Sequence, residues 1–273
     1  KASESIAFSS SKIFSSKLAI LLLSFGLLPL PNLNAQEVPK WEMIFNGSDL
    51  NSFKQLNGDA SFIIENGTLV GVSKLNTANS FLATKKTYSD FILEFEVMVD
   101  NGLNSGVQFR SNSYSEYKNG RVHGYQCEIE TSSRKWAGGI YDEARRGWLY
   151  PLSRNKTGQE AFIRGSWNKY RIEAIGNSIK TFVNSVEVSN LFDDMTQEGF
   201  IAFQVHGISN PEQEGKQVRW KNIRILITDL ERNRMIALNK APHISYLDGT
   251  LTQEEKRLGF RMLWDGKTTN GWR

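Results

Sequence analysis

The chain has 273 residues, of which 40% are hydrophobic, 23% charged and 11% aromatic. This balance is typical of a globular protein and excludes a wholly disordered one. The single cysteine, Cys127, excludes an intramolecular disulfide, and with only three histidines the chain is poor in zinc ligands. The formal net charge is +4. The basic residues are not clustered in any run of five or more, so we predict no nucleic-acid partner.

The first 35 residues have the features of a secretory signal peptide. Lys12 and Lys17 precede an uncharged apolar run at 18–30 (LAILLLSFGLLPL), which is too short to cross a bilayer. The small Ala35 stands before the polar Gln36, as at a signal-peptidase site. We therefore expect cleavage near Ala35, export to the periplasm or the extracellular space, and no membrane span in the mature protein.

Residues 36–229 have the pattern of an all-β domain. Apolar and polar residues alternate in 91–99 (FILEFEVMV), 125–130 (YQCEIE) and 200–206 (FIAFQVH). Asn66-Gly67, between two further strand-like runs, is a strong hairpin signal. Many short strands with tight turns predict two packed antiparallel sheets, a sandwich or jelly roll.

The C-terminus contains a repeat of an earlier pattern. Residues 45–53 (FNGSDLNSF) and 264–272 (WDGKTTNGW) share an aromatic residue, Asn or Asp, Gly, three residues, Asn, one residue and an aromatic. We expect residues 230–250 to be a linker and 251–273 to begin a second copy of the domain. Thr252 and Glu255 form a capping box at the start of a helix there. A C-terminal strand that completes the first domain is the alternative.

Three predicted strands carry polar groups suited to binding sugars. These are Gln108 and Arg110, then Gln126, Glu128 and Glu130, then Gln204 and His206. Amides, carboxylates and guanidinium groups form bidentate hydrogen bonds to vicinal hydroxyls or carbonyls. On a curved sheet they would line a carbohydrate-binding groove, whereas each of them alone is compatible with ordinary solvated surface.

The long segment 131–164 adds rings and charges to this picture. Trp136, Tyr141, Asp142 and Trp148 fall within it. Exposed aromatic rings stack on sugar rings, and neighbouring charged groups bind hydroxyls. The alternative is that these rings only close the edge of the sandwich.

Two residue types in these strands are suited to proton transfer. Glu128 and Glu130 share a strand face, as the carboxylate pairs of glycosidases do, although Glu94 and Glu96 have the same spacing. His206 stands at a strand end beside a polar loop, where a neutral imidazole can act as a base. A histidine that merely caps the strand is the alternative.

Seven motifs follow one another in the chain. They are 44–50 (IFNGSDL), 104–110 (NSGVQFR), 124–129 (GYQCEI), 138–142 (GGIYD), 167–170 (WNKY), 199–206 (GFIAFQVH) and 218–225 (VRWKNIRI). In this order the chain resembles the 3-keto-disaccharide hydrolase domain family over residues 41–228. The resemblance implies a concanavalin-like jelly roll in an exported protein. It also implies cleavage of glycosides whose sugar a separate oxidoreductase has oxidised at C3.

The implied chemistry assigns roles to the candidate residues. A ketone at C3 acidifies the C2 proton, so a base can remove it, the C1 leaving group departs by β-elimination, and water adds to the enone. We expect His206 as base or acid with Glu128 as its complement, and Arg110 and Gln126 as donors to the enolate and hydroxyls. No ligand motif marks a metal site, and a divalent cation near Glu128 and Glu130 stays open.

A non-catalytic carbohydrate-binding module is the main alternative, because a repeated domain gains affinity through avidity. A structural adhesion domain, with its polar faces dispersed, is a third. Convergence of His206, Glu128 and Arg110 on one cleft would favour the enzyme, whereas a flat aromatic platform would favour binding alone.

Overall fold

The computed structural model describes residues 38–264 and 268–269. The expected signal peptide of residues 1–35 lies outside the described residues, as do Asp265, Gly266 and residues 270–273 of the expected second repeat. Across the described ranges, no helix combines the length and apolar character needed to cross a membrane.

The described part of the chain is built from sixteen strands and two short α-helices. In chain order the strands are β1 (Glu42–Met43), β2 (Phe53–Asn57), β3 (Ser61–Glu65), β4 (Thr68–Val72), β5 (Ser80–Tyr88), β6 (Phe91–Val99), β7 (Asn104–Asn112), β8 (His123–Glu130), β9 (Ile140–Glu143), β10 (Gly147–Tyr150), β11 (Asn168–Ile175), β12 (Ser178–Val183), β13 (Val186–Phe192), β14 (Gly199–Val205), β15 (Gln217–Leu226) and β16 (His243–Ser245). The helices are α1 (Lys156–Gln159) and α2 (Gln253–Arg257), and 3-10 turns occupy Leu152–Arg154, Pro211–Gln213 and Glu231–Asn233.

The strands pair into two sheets. Sheet 1 has the order β16-β13-β12-β11-β6-β15-β4-β3, with β1 also paired to β15, and sheet 2 has the order β10-β9-β8-β7-β14-β5-β2. The pairings are antiparallel except that of β16 with β13, which is parallel. This arrangement confirms the predicted two-sheet jelly-roll sandwich.

The hydrophobic core lies between the two sheets. The alternating apolar residues of β6 are all buried: Phe91, Leu93, Phe95, Val97 and Val99. Across the core, Phe203 of sheet 2 packs against Trp220 of sheet 1 with ring centroids 5.4 Å apart. Because side chains alternate along a strand, this packing leaves the other face of sheet 2 to the polar residues of β7, β8 and β14.

The predicted Asn66-Gly67 hairpin joins β3 to β4. The two residues have φ values of +49° and +75°. Positive φ at both central residues is what the two-residue hairpin turn requires, and Asn and Gly adopt it most readily. The turn therefore fixes the register of an outer hairpin of sheet 1.

The stretch expected to be a linker contributes a strand to the domain. β16 extends sheet 1, where His243 pairs with Asn190. The predicted capping box is formed: Thr252 N donates to Glu255 Oε2 at 2.7 Å, and Glu255 N donates to Thr252 Oγ1 at 3.2 Å. Residues 230–250 are thus not a free connection, while a second domain beginning at 251 stays a prediction.

Candidate functional site on sheet 2

The polar faces of β7, β8 and β14 meet at the centre of sheet 2. Gln108 pairs with Gln126, and Gly106 lies between Glu128 on one side and Gln204 on the other. The four polar residues are buried, with exposed fractions of 0% to 3%. Gly106 makes room for them, because a Cβ there would lie 2.4 Å from Cδ of Gln126. The structure thus brings four predicted site residues together.

A directed chain of hydrogen bonds joins these side chains. Ser111 Oγ donates to Gln108 Oε1 at 2.8 Å, and Gln108 Nε2 donates to Gln126 Oε1 at 2.7 Å. Gln126 Nε2 donates in turn to Glu128 Oε2 at 3.0 Å. Gln204 Nε2 joins from the other side and donates to Gln126 Oε1 at 3.0 Å. The three amides are therefore held in fixed orientations that converge on one carboxyl group.

Glu128 is the buried carboxyl at the end of this chain. Its Oε1 accepts from Asn104 Nδ2 at 2.6 Å, and Arg134 Nη2 lies 3.4 Å from the same oxygen. Burial raises the pKa of Glu128 to about 7, although the hydrogen bonds from Asn104 and Gln126 act in the opposite direction. Near neutral pH this carboxyl can therefore take up and release a proton, as a general base or acid must.

Glu130 is occupied by protein donors. Arg134 donates to both of its oxygens, Nε to Oε1 at 3.2 Å and Nη2 to Oε2 at 2.8 Å. Ser132 Oγ and the backbone N of Trp136 also donate to Glu130, at 2.7 and 2.6 Å. Since the cation shared by Glu128 and Glu130 is the Arg134 guanidinium, these two carboxylates do not fit a divalent cation. Over the described residues, no group of three His, Cys, Asp or Glu side chains is arranged to hold a metal ion.

An aromatic cluster borders the polar face beside Glu130. Cζ of Arg134 lies 4.5 Å from the ring centroid of Trp136 and 4.8 Å from that of Trp148. The Trp148 ring meets Trp136 and Tyr141 edge to face, with centroids 4.8 and 5.2 Å apart. All three rings are partly exposed. The predicted ring residues therefore form one cluster with Arg134, on which a sugar ring can stack.

His206 lies one residue beyond the end of β14 and is exposed. Its Nδ1 is 2.7 Å from Gly207 O. Because a carbonyl oxygen only accepts, Nδ1 carries the proton, and Nε2 has a lone pair when the ring is neutral. Val205, the last residue of β14, pairs with Ser105, which directly follows Asn104 in β7. His206 thus stands at the rim of the site, while Glu128 lies within it.

Arg110 does not share the polar face, and the reason is a β-bulge in β7. Gln108 pairs with Ala202 but Ser111 pairs with Phe200, so one strand has an extra residue in this interval. Arg110 takes it up with a φ of +45°. The bulge interrupts the alternation on which the prediction for Arg110 rested.

The guanidinium of Arg110 is instead fully engaged in joining turns. It donates to Ser89 O at 2.6 Å, Gly176 O at 2.9 Å and Asp90 Oδ1 at 2.8 Å. The side chain is completely buried. This corrects the expectation that Arg110 lies beside Gln108 as a donor to the substrate, because its donors point to the β5–β6 and β11–β12 turns.

Asp142 also belongs to a structural network. It pairs with Tyr125 in the sheet and, unlike Tyr141, faces away from the polar residues. Arg145 Nε and Arg146 Nε donate to its two oxygens at 2.7 and 2.6 Å. Arg146 Nη1 also donates to Asp193 Oδ2 at 2.7 Å. Asp142 therefore anchors the β9–β10 hairpin rather than lining the site as expected.

A loop between β7 and β8, residues 113–122, spans the width of sheet 2. At one edge, Asn57 Nδ2 donates to Gly120 O at 3.0 Å and Val122 N donates to Asn57 Oδ1 at 2.9 Å. Towards the other edge, Tyr117 Oη donates to Ala144 O at 2.8 Å. Val122 packs in an apolar cluster with Phe81, Ala83, Phe200 and Ala202. This spanning loop therefore covers the apolar part of the face, and the polar part lies beyond it.

Asn104 and Arg134 are the site residues that sequence reasoning missed. Asn104 lies within the NSGVQFR motif, and its position two residues before Gly106 in a strand puts it on the polar face. Arg134 is in a short turn of polar residues, SSRK, that resembles ordinary solvated loop. Only the fold brings it back over Glu128 and Glu130.

A cavity of about 480 Å³ lies on the outer face of sheet 1. Three of its charged lining groups are paired with one another: Arg171 and Arg224 each lie 2.6 Å from a carboxylate oxygen of Glu94. Among the described residues that line it, none belongs to the four central polar residues of sheet 2. The sheet 2 face is therefore the stronger candidate for chemistry.

The match to a protein family indicates a carbohydrate-related domain. A family model described as a 3-keto-alpha-glucoside-1,2-lyase-like domain matches residues 40–226. No curated protein matches the chain. Among solved structures, a candidate glycosyl hydrolase from Parabacteroides distasonis is 17% identical, with a TM-score of 0.49 over 69% of this chain and 94% of that one. A carbohydrate binding module, CBM66 from Bacillus subtilis, is 16% identical, with a TM-score of 0.45 over 64% of this chain and 95% of that one.

Proposed function

Because the chain belongs to the 3-keto-alpha-glucoside-1,2-lyase-like domain family, we propose that it cleaves 3-keto-glycosides. The family makes it a carbohydrate-active domain, and its two sheets form a jelly roll. The finer proposal is that it removes the C2 proton of the oxidised sugar and expels the group at C1. The single observation that carries it is the buried carboxyl of Glu128, whose pKa is raised to about 7.

The environment of Glu128 suits a base that acts on a carbon acid. The group is nearly free of water, so its charged form is poorly solvated and gains from taking a proton. Asn104 and Gln126 hold its two oxygens in place at 2.6 and 3.0 Å. A positioned carboxylate with a pKa near the working pH is the arrangement that makes general base catalysis efficient.

The proposed first half of the reaction is an elimination. Glu128 takes the proton from C2, and the electron pair of the C2–H bond enters the enolate formed with the C3 ketone. The enolate then re-forms the ketone with a C1–C2 double bond, and the C1–O bond breaks. His206 as imidazolium gives its Nε2 proton to the departing oxygen, so the leaving group departs as an alcohol.

The second half is the addition of water to this enone. Neutral His206 takes a proton from the water that attacks C1, and Glu128 returns its proton to C2. Both groups regain their starting protonation states, and the net reaction is hydrolysis. Arg134, whose Nη2 lies 3.4 Å from Glu128, is the cation closest to the carboxyl and is suited to stabilise the enolate oxygen.

This chemistry implies a partner reaction, and the N-terminal sequence suggests a location. The ketone substrate must come from a separate oxidoreductase that oxidises C3 of the sugar. We also propose that the protein is exported, with its signal peptide removed near Ala35. N-terminal sequencing of the secreted protein, expected to begin near Gln36, tests the location independently of the activity.

The decisive experiment compares release of 4-nitrophenol from a 4-nitrophenyl 3-keto-glucoside and from its unoxidised parent by the full chain. We expect release from the ketone only, and its loss in Glu128→Gln. Glu96→Gln is the matched control, because Glu96 belongs to the other E-x-E pair and pairs with Lys221 on sheet 1. Release that survives Glu128→Gln would remove Glu128 from the mechanism.

A non-catalytic carbohydrate-binding domain is the second candidate function. The observation that favours it is the partly exposed cluster of Trp136, Tyr141 and Trp148, which can hold a sugar without any chemistry. Saturable binding of an oligosaccharide with no release from either glucoside would support this function. Loss of that binding in Trp148→Ala would locate it at the cluster.

A further inference from the structure

The side-chain amide of Gln204 is paired at only one of its two ends. Its Nε2 donates to Gln126 at 3.0 Å. Its Oε1 is buried and has no hydrogen-bond partner among the described residues. An unpaired buried acceptor is costly, and a native site that contains one calls for an explanation.

The direction of the hydrogen-bond chain determines which end of Gln204 is free. An ionised Glu128 can only accept, so Gln126 must turn its Nε2 towards it. The oxygen of Gln126 then faces Gln108 and Gln204, and both must donate to it. The side-chain oxygen of Gln108 accepts a hydrogen bond from Ser111. Gln204 has no equivalent donor, so its Oε1 has no hydrogen-bond partner among the described residues.

The residues that pair with Gln204 in the sheet have no side-chain donor. Its pairing partner on β5 is Phe81, and its partner on β7 is Gly106, which has no side chain. The preceding residue on the same face is Ala202, which pairs with Gln108. A group that satisfies the Gln204 oxygen must therefore come from outside this set of side chains.

We propose that Gln204 is a specificity-determining residue whose Oε1 accepts a hydrogen bond from a free ring hydroxyl of the bound sugar. The inference rests on the proposed function and deepens it. A ketone oxygen has no proton to donate, so the C3 carbonyl cannot occupy this position. The ketone must face the donors on the Asn104 and Arg134 side of Glu128, which orients the sugar in the site.

The test uses 4-nitrophenyl 3-keto-glucoside and its 2-, 4- and 6-deoxy analogues at about pH 7.5, above the pKa of about 7 of Glu128. We expect the wild-type chain to lose about tenfold or more in kcat/KM on one analogue only, because a site built around a hydroxyl rejects its absence. Gln204→Met should lose about the same factor on the parent and discriminate less than about twofold against that analogue. Gln55→Met, on β2 of the same sheet, is the matched control and should keep the wild-type pattern.

The outcomes separate this inference from the proposed function. Release from the ketone series without discrimination by the wild-type chain, or with equal discrimination by Gln204→Met, overturns the role of Gln204 and leaves the activity standing. No release from any ketone overturns the activity. In that case, calorimetry measures binding of the same ketones to the wild type and to Gln204→Met. Discrimination against one deoxy analogue by the wild type alone supports the role of Gln204, and equal discrimination by both proteins overturns it. If no member of the series binds, the inference is overturned as well.

Discussion

Asn104 Nδ2 lies 2.6 Å from Glu128 Oε1 and joins β7 to β8 at the proton-transfer group of the site. The amide has a proton to offer, so it stabilises the ionised form of Glu128 more than the neutral one. Burial works against it and dominates, which is why the pKa of Glu128 is raised to about 7. The pair thus sets the pH at which the carboxyl becomes a base.

Removal of this donor should move the pH dependence of the reaction. In Asn104→Ala, the pKa of Glu128 rises further because burial remains and one stabilising bond is lost. The rising limb of kcat/KM against pH should shift to higher pH. Asn101→Ala, an exposed residue at the same end of β7, should leave the limb in place. A limb that does not move in Asn104→Ala would show that Glu128 does not control it.

Glu128 should also make folding stability depend on pH. Its folded-state pKa is raised from 4.5 to about 7, so the folded protein binds this proton more tightly than the unfolded chain. The cost of ionising the buried carboxyl is absent below about pH 4.5 and complete above about pH 7. The wild type should therefore lose roughly 2.5 kcal/mol of unfolding free energy, relative to Glu128→Gln, between pH 5 and pH 8. Urea unfolding of both proteins at the two pH values measures this difference, and parallel pH profiles would contradict it.

Arg134 should be intolerant of replacement by lysine. Its planar guanidinium donates to both oxygens of Glu130 and lies against both the Trp136 and the Trp148 rings. A lysine keeps the charge but has neither the paired donors nor the flat face. We expect Arg134→Lys to lower kcat/KM by about tenfold or more.

Arg164→Lys is the matched control for this variant. Arg164 is exposed and donates to the backbone oxygen of Ser132 at 2.7 Å, in the same loop region. Its replacement should change kcat/KM by less than about twofold. Equal losses in the two variants would mean that Arg134 contributes only positive charge to this edge of the sheet.

The sequence predicts the sheets and the central polar residues well, because both follow from strict alternation. Gln126 and Glu128 on β8, and Gln204 on β14, lie on the face that the pattern assigns to them. The prediction for Arg110 was wrong because one extra residue in β7 changes the face of the sheet on which its side chain lies. No Gly or Pro occurs in β7 at that bulge. Arg134 was missed because contacts between a loop and a strand have no periodic signal.

Asp142 is a residue that the sequence pattern wrongly assigned to the site. Its neighbour Tyr141 does reach the site, but adjacent residues of a strand point to opposite faces. A motif such as YDEARRGW indicates a functional region without assigning each side chain to it. The two arginines that follow in the motif pair with Asp142 itself. These ion pairs therefore stabilise the hairpin that carries Tyr141 and Trp148.

The corrected position of Arg110 predicts a stability defect without a catalytic one. Arg110→Met removes three donors and leaves Ser89 O, Gly176 O and Asp90 without them at a fully buried side chain. We expect a loss of about 2–3 kcal/mol in the free energy of unfolding. Arg219→Met, which breaks a partly exposed pair with Asp100, should cost less than about 1 kcal/mol. At a temperature where both variants are folded, kcat/KM on the 3-keto-glucoside should stay within about twofold of wild type. A stable Arg110→Met protein with lost turnover would instead return Arg110 to the substrate site, because only a direct contact would then account for its effect.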